Sequence, residues 1–256
     1  MIATYERDGR IGRITISRPD RRNALNHTAL DELHQGVRAA AQDQVRVLVL
    51  TGDADHFCSG ADLKELEDLE FTRALRAMLD DLAASPVPTV AAISGACMGL
   101  GMQLAVACDL RLATPDARFA VPVARLGLMV DHWTVQRLAL LAGHSTARWM
   151  TMTARPVTAA RAHQVGLVHE LVEVVDDAPG RSVLAAADEL AHELAALAPL
   201  TLAGTKLGLD LLERDAAQVD PDGAYLDAFH AAWASEDLVE GRRAFAERRP
   251  ASFEGR

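Results

Sequence analysis

The sequence has few of the features that mark secreted, metal-binding or membrane proteins. Its 256 residues include three cysteines, Cys58, Cys97 and Cys108. Their odd number and wide spacing match neither a disulfide framework nor a zinc motif, so we expect reduced thiols, no metal site and a cytoplasmic protein. No apolar run approaches the ~20 residues of a membrane-spanning helix. The first residues lack the basic and apolar segments of a signal peptide, so we expect neither a span nor a leader.

Basic charge is also scarce. The chain has 26 Lys and Arg residues against 36 Asp and Glu residues, which gives a formal net charge of -10. Nucleic-acid-binding surfaces are basic, so this excess of acid argues against a nucleic-acid partner. A local group of arginines, Arg18, Arg21 and Arg22, still leaves room for a small phosphorylated ligand.

Apolar strand patterns alternate with helical patterns over most of the chain, which predicts an α/β core with largely parallel strands. We predict strands at residues 13–17, 45–51, 87–93, 110–113 and 168–172, and helices at 28–42, 71–84 and 100–108. We expect Asn26 to cap the first of these helices. From about residue 178 the sequence is helical and rich in Ala and Leu, at 182–198, 201–214 and 223–248.

The residues leave the role of this helical tail open. It is either a cap on the core or an oligomerisation arm, and the scattered aromatics of the tail favour the arm. These aromatics are Tyr225, Phe229, Trp233 and Phe245.

Two segments each read as a strand, a glycine turn and a helix start. They are residues 57–63 (FCSGADL) and residues 94–103 (SGACMGLGMQ). The first N–H groups of a helix have no partner within the helix and attract negative charge. Two such turns that face each other would form an oxyanion hole for an enolate or a tetrahedral intermediate. Such a hole polarises a carbonyl group, but an acid or a base must still move the protons.

Five segments, in this order, resemble the crotonase superfamily, that is, the enoyl-CoA hydratases and isomerases. They are residues 18–26 (RPDRRNALN), 57–63, 94–109, 162–168 (AHQVGLV) and 242–250 (RRAFAERRP). The resemblance implies a spiral of ββα units over residues 1–198 and a C-terminal helical trimerisation region over residues 199–256. It also implies homotrimers or hexamers, and an acyl-CoA ligand whose coenzyme A makes a separate cofactor unnecessary.

The resemblance assigns roles to individual positions. The backbone N–H groups of Ala61 and Leu100 would form the oxyanion hole. Leucine at position 100 replaces the family's usual glycine and adds bulk beside the thioester. The coenzyme A moiety would contact Arg22, Ala24, Ala61, Asp62, Leu63 and Arg248, with Arg248 reaching a phosphate as a charge-assisted pair.

The sequence departs from the family at the acid and base positions. Hydratases carry glutamate where this chain has Gln103 and Val123. Glutamine can orient a water molecule but cannot take its proton, and valine can do neither. Trp133 adds apolar area to the expected acyl pocket. Some family members carry an acting aspartate at the position of Asp131, which as an alternative could cap the following helix.

Three functions therefore remain open. The first is a non-hydrating protein that binds a fatty acyl-CoA or enoyl-CoA thioester. The second is an isomerase or lyase that uses Asp131, and the third is an enoyl-CoA hydratase. The combination of Gln103, Asp131 and Trp133 also resembles a subset of actinobacterial homologues regarded as binders of long acyl-CoA, which favours the first function.

Overall fold

A six-stranded sheet lies at the centre of the fold. The structure, a computed structural model, describes residues 1–63, 69–216, 227, 230–231 and 233–253. The strands are β1 (Ala3–Asp8), β2 (Ile11–Ile16), β3 (Val47–Gly52), β4 (Thr89–Ile93), β5 (Ala96–Met98), β6 (Leu110–Ala113), β7 (Arg118–Ala120), β8 (Val157–Thr158) and β9 (Glu170–Leu171). The main sheet has the order β1-β2-β3-β4-β6-β9, and only its β1-β2 pair is antiparallel. A second sheet has the order β5-β7-β8.

Helices cover both faces of the main sheet. They are α1 (His27–Gln42), α2 (Leu69–Ala83), α3 (Leu100–Ala107), α4 (His132–Thr153), α5 (Ala159–Gln164), α6 (Pro179–Ala196), α7 (Pro199–Ala216) and α8 (Glu236–Glu247). Short 3₁₀ helices span Pro19–Arg21 and Pro122–Leu126. The Asn26 cap is confirmed, because its side chain accepts a hydrogen bond from the N–H of Ala29. The α/β spiral that the resemblance implied is the observed fold.

Strand β3 is buried on both sides, as expected for a central parallel strand. Val47 and Val49 belong to the apolar cluster beneath α6, and Leu48 and Leu50 belong to the larger cluster beneath α1, α2 and α3. This division follows from the two-residue period of a strand, which points alternate side chains to opposite faces. The sheet therefore holds α6 on one face and the helices of the candidate site on the other.

Helix α3 is buried along its whole length, including Gln103. Two buried arginines bind carbonyl groups at its C-terminal end. The Nη1 group of Arg111 donates to the carbonyl of Cys108 at 2.6 Å, and the Nε group of Arg137 donates to that of Val106 at 2.9 Å. Burial lowers the pKa of Arg111 to about 10, which still leaves it charged at neutral pH. The two cations complement the negative end of the helix dipole and hold α3 in place.

The C-terminal helix α8 packs onto the 3₁₀ helix Pro122–Leu126 of the same chain. A Cβ atom added at Gly241 would lie 2.4 Å from the carbonyl oxygen of Leu126, so the two backbones are in close contact. Trp233 is half-buried nearby, and its indole Nε1 donates to the carbonyl of Met129 at 3.4 Å. Part of the tail therefore covers the core, as one of the two alternatives proposed.

The rest of the tail departs from the sequence-based prediction. Of the predicted helix at 223–248, the described residues 227, 230, 231 and 233 are helical, residues 234–235 interrupt the helix, and α8 follows. Tyr225 and Phe229 lie outside the described residues. Helix α7 begins at Pro199, next to the predicted boundary at residue 198, but the division into two regions stays a prediction. No single described helix is long and apolar enough to cross a membrane. The bent pair Pro179–Ala196 and Pro199–Leu211, taken together, has the length and composition of a membrane span.

Candidate oxyanion site

The two glycine turns lie side by side in register. Cys58 and Cys97 form an isolated parallel bridge between them. The N–H of Cys58 donates to the carbonyl of Ala96 at 2.8 Å, and the N–H of Met98 donates to the carbonyl of Cys58 at 2.9 Å. A Cβ atom at Gly101 would lie only 2.2 Å from the carbonyl oxygen of Cys58. Glycine at this position therefore lets the start of α3 rest directly on the first turn.

The hydrogen bonds between the two turns do not use the N–H groups of Ala61 and Leu100. Ala61 forms a parallel bridge with Leu25. In this bridge the N–H of Leu25 donates to the carbonyl of Gly60 at 2.9 Å, and the N–H of Asp62 donates to the carbonyl of Leu25 at 2.7 Å. The N–H of Ala61 therefore points away from Leu25. Leu100 is the first residue of α3, so its N–H has no acceptor within the helix. Within the described residues, neither N–H has an acceptor in the protein.

Left-handed glycines bring the two N–H groups towards the same space. Gly60 has φ +113 and Gly99 has φ +54, which disfavour other residues. A Cβ atom at Gly60 would lie 3.8 Å from the backbone nitrogen of Leu100. The end of the first turn is therefore adjacent to the start of α3, whose dipole favours negative charge there. The two neighbouring N–H groups are therefore a candidate oxyanion hole.

The two positions at which hydratases carry their acid and base hold no titratable side chains. Gln103 lies one helical turn after Leu100 and is 8 % exposed. Its amide oxygen Oε1 is buried and has no hydrogen-bond partner among the described residues. Val123 lies in the 3₁₀ helix Pro122–Leu126 and packs, half-buried, against the core. Neither residue can exchange a proton with a ligand at neutral pH.

Both carboxylate oxygens of Asp131 are engaged. Oδ1 accepts a hydrogen bond from the N–H of Thr134 at 2.8 Å, which makes Asp131 the N-cap of α4. Oδ2 accepts one from Nη1 of Arg76 at 3.1 Å. The Arg76 guanidinium also stacks on the ring of Trp133, with its Cζ atom 4.1 Å from the ring centroid. In the structure, Asp131 therefore caps α4, which is the second of the two roles considered from the sequence.

Arg76 was not identified from the sequence. It joins α2 to the start of α4, 55 residues further along the chain, and it also pairs with Asp80 at 2.9 Å. No local sequence pattern predicts a contact between residues so far apart in the sequence. The stack covers one face of Trp133, the residue predicted to line the acyl pocket.

Comparisons with known proteins identify the family of this chain. The sequence profile of the family described as enoyl-CoA hydratase/isomerase matches residues 6–256. The chain belongs to the enoyl-CoA hydratase/isomerase family. It is 38% identical over 243 residues to the Mycobacterium bovis protein named "Probable enoyl-CoA hydratase echA6", which covers 94% of this chain and 95% of that protein. It is 35% identical over 259 residues to the Escherichia coli 2,3-dehydroadipyl-CoA hydratase, with 98% and 97% covered.

Solved structures show the same fold. An enoyl-CoA hydratase from Mycobacterium avium subsp. paratuberculosis superposes with a TM-score of 0.85 at 27% identity and covers 99% of each chain. A methylmalonyl-CoA decarboxylase in complex with 2-nitronate-propionyl-CoA superposes with a TM-score of 0.89. Its identity is 24%, with 100% of this chain and 99% of that chain covered, so it supports the fold alone.

The residues that the family resemblance assigns to coenzyme A lie around the first turn and at the end of α8. The carbonyl of Arg22 accepts a hydrogen bond from Ser59 at 3.0 Å, which ties the N-terminal motif to the turn. Asp62 is buried, and its carboxylate pairs with Arg18 at 3.1 Å, so it contributes to holding the turn together. Ala24 is buried and Leu63 is half-buried. Arg248 is exposed and ends α8 in the left-handed conformation.

Proposed function

We propose that this chain binds a fatty acyl-CoA or enoyl-CoA thioester in fatty-acid metabolism and hydrates it little or not at all. The observation that carries the proposal is the pair of adjacent N–H groups, from Ala61 and Leu100, which have no acceptor in the part of the chain that the structure describes. A thioester carbonyl oxygen is a suitable acceptor for two such donors. The relatives named as acyl-CoA hydratases support the ligand class.

The lack of hydration follows from the side chains around the hole. Hydration needs one group to activate water and one to deliver a proton, and each contributes typically ~10²–10⁴-fold to the rate. Gln103 and Val123 supply neither group. Asp131 carries a proton-accepting carboxylate, but its two oxygens already accept hydrogen bonds from Thr134 and Arg76. A slow or absent hydration step is therefore the expected outcome.

The two alternatives remain experimentally separable. An isomerase or lyase would need Asp131 to leave Thr134 and Arg76 and turn towards the acyl chain. An ordinary hydratase, which the names of the relatives favour, would need a proton donor other than residues 103 and 123. The binding proposal needs neither change, so it ranks first.

The test combines binding with turnover. Calorimetric titration with saturated acyl-CoA of short and long chains should show a Kd at the micromolar level or tighter. A spectroscopic assay with crotonyl-CoA and longer enoyl-CoA should show turnover far below the ordinary range of ~1–10³ s⁻¹. Absence of heat with every acyl-CoA would contradict the binding proposal. Turnover within the ordinary range would instead support the hydratase alternative.

The assembly and location follow the family resemblance. We propose a homotrimer or hexamer, a cytoplasmic location and no cofactor apart from the coenzyme A of the ligand. The exposed apolar residues on and before α7, among them Leu197, Leu200, Leu207 and Leu211, offer a surface for subunit contacts. A monomeric mass in solution at micromolar protein concentration would contradict this assembly.

A further inference from the structure

Arg111 places a buried cation at the C-terminal end of α3, opposite the candidate oxyanion hole. The residue is 1 % exposed. Its Nη1 group donates to the carbonyls of Ala105 and Cys108 at 3.2 and 2.6 Å, and its Nε group donates to the carbonyl of Leu167 at 2.6 Å. These acceptors are neutral main-chain groups. Because an arginine side chain stays protonated in proteins, a full positive charge lies at this end of the helix.

The neighbouring acid does not neutralise this charge. Asp109 precedes Arg111 by two residues, but its Oδ2 atom pairs with Nζ of Lys206 at 2.8 Å and accepts a hydrogen bond from the N–H of Thr89 at 2.8 Å. In the part of the chain that the structure describes, no carboxylate forms an ion pair with Arg111. Burial accordingly lowers the pKa of Arg111 to about 10, as expected for a cation whose surroundings replace water only in part.

The charge of Arg111 is close enough to the hole to act on it. Helix α3 has 8 residues, all of them buried, so protein and not water lies between its two ends. At ~1.5 Å per residue the helix is ~12 Å long, which puts the guanidinium ~15 Å from an oxygen held by the N–H of Leu100. At an effective dielectric constant of ~20, two unit charges at this distance change an equilibrium constant by roughly sixfold.

On the basis of the proposed function, we propose that Arg111 raises the positive potential of the candidate oxyanion hole from the far end of α3. The guanidinium offsets the negative end of the helix dipole, so the positive end at Leu100 acts with less opposition. The oxygen of a neutral thioester carries a partial negative charge, whereas the oxygen of an enolate carries close to a full one. Arg111 therefore makes the hole favour the enolate over the neutral thioester, and it acts through its charge alone.

Titration of bound acetoacetyl-CoA measures this potential. The compound ionises to an enolate that absorbs in the near ultraviolet, so its pKa in the hole is read by spectroscopy below the pKa of Arg111. In the wild type this pKa should lie below that of free acetoacetyl-CoA. In Arg111→Gln it should rise by about 0.8 pH unit, which is the roughly sixfold change expected for one charge. The affinity for the neutral butyryl-CoA should fall by about twofold or less, because its oxygen carries a partial charge.

Two further variants make the result specific to the buried charge. Arg118→Gln is the matched control, because Arg118 also donates to main-chain carbonyls but is exposed, so that water and salt screen its charge. It should keep the wild-type enolate pKa. Arg137→Gln removes the second guanidinium bound at the C-terminal end of α3 and should raise the enolate pKa as Arg111→Gln does. It provides the test if Arg111→Gln does not fold.

The outcomes separate this inference from the proposed function. An enolate pKa that stays at the wild-type value in the Arg111 and Arg137 variants, with acetoacetyl-CoA still bound, overturns the inference and leaves the proposed function standing. A loss of butyryl-CoA affinity as large as the loss of enolate affinity also overturns it, because Arg111 would then only hold α3 in place. Failure of every thioester to bind the wild type removes the proposed function, and this inference with it.

Discussion

Replacing Asp131 tests whether its carboxylate serves structure or chemistry. Loss of an N-cap side chain costs ~0.5–2 kcal/mol. A partly exposed ion pair contributes about 0.2–1 kcal/mol, and the Arg76 and Asp131 side chains are 24% and 32% exposed. Asp131→Ala removes both interactions, so the free energy of unfolding should fall by about 1–3 kcal/mol.

Asp131→Asn separates the two contributions. Asparagine caps helices about as well as aspartate, so only the charge that faces Arg76 is lost. The free energy of unfolding should therefore fall by less than about 1 kcal/mol. Urea unfolding at a fixed protein concentration measures both variants, because stability depends on concentration in an oligomer. Asp80→Asn is the control, since Asp80 pairs with the same arginine and its side chain is 61% exposed.

The same variants decide the chemical alternative. If the Asp131 carboxylate serves structure alone, acyl-CoA binding is unchanged in Asp131→Asn and no thioester conversion is lost. A wild-type isomerase or lyase activity that Asp131→Asn abolishes, with binding and stability intact, would refute the structural interpretation. Asp131 would then have to leave its cap during the reaction.

Two further outcomes follow from the packing of the site. Gly101→Ala should abolish acyl-CoA binding and destabilise the fold, because its Cβ would lie 2.2 Å from the carbonyl oxygen of Cys58; calorimetry and urea unfolding check this. Gly208→Ala, with no atom within 4 Å of the added Cβ, is the control, and retained binding in Gly101→Ala would contradict the turn geometry. Burial raises the pKa of the Cys58 and Cys108 thiols to about 12. Unfolded thiols lose their protons near pH ~8.5, so stability should fall above that pH, by about 1.4 kcal/mol per pH unit for each thiol. Cys108→Ala should flatten the alkaline slope in urea unfolding, and an unchanged slope would refute this assignment.

The sequence predicted the elements whose signals are local. The strand at 110–113 is found as Leu110–Ala113, and the helix at 28–42 begins one residue earlier, at His27. The strand predicted at 87–93 begins only at Thr89. The reason is Pro88, which has no N–H to contribute to a sheet, although its carbonyl accepts a hydrogen bond from Leu48.

The helix at 223–248 was predicted as continuous, whereas residues 234–235 interrupt it, and a local signal for the start of α8 was present. Ser235 accepts a hydrogen bond from the N–H of Leu238 and is followed by Glu236 and Asp237, a favourable first turn. The contacts of Asp131 are a different case. Its cap is local and was among the sequence-based alternatives, but its ion pair with Arg76 depends on how α2 packs against α4. Spacing along the chain carries no information about that packing.

Binding and catalysis are separable in this fold because different parts of the chain supply them. The candidate oxyanion hole is built from main-chain N–H groups, whose direction depends on the register of Cys58 with Cys97 and on the glycine turns. Substitutions at positions 103 and 123 change side chains without altering that register. Under the proposed function, the absence of a titratable group at both positions removes proton transfer and leaves the carbonyl site intact. Under the proposed function, this chain keeps its ligand while it gives up hydration.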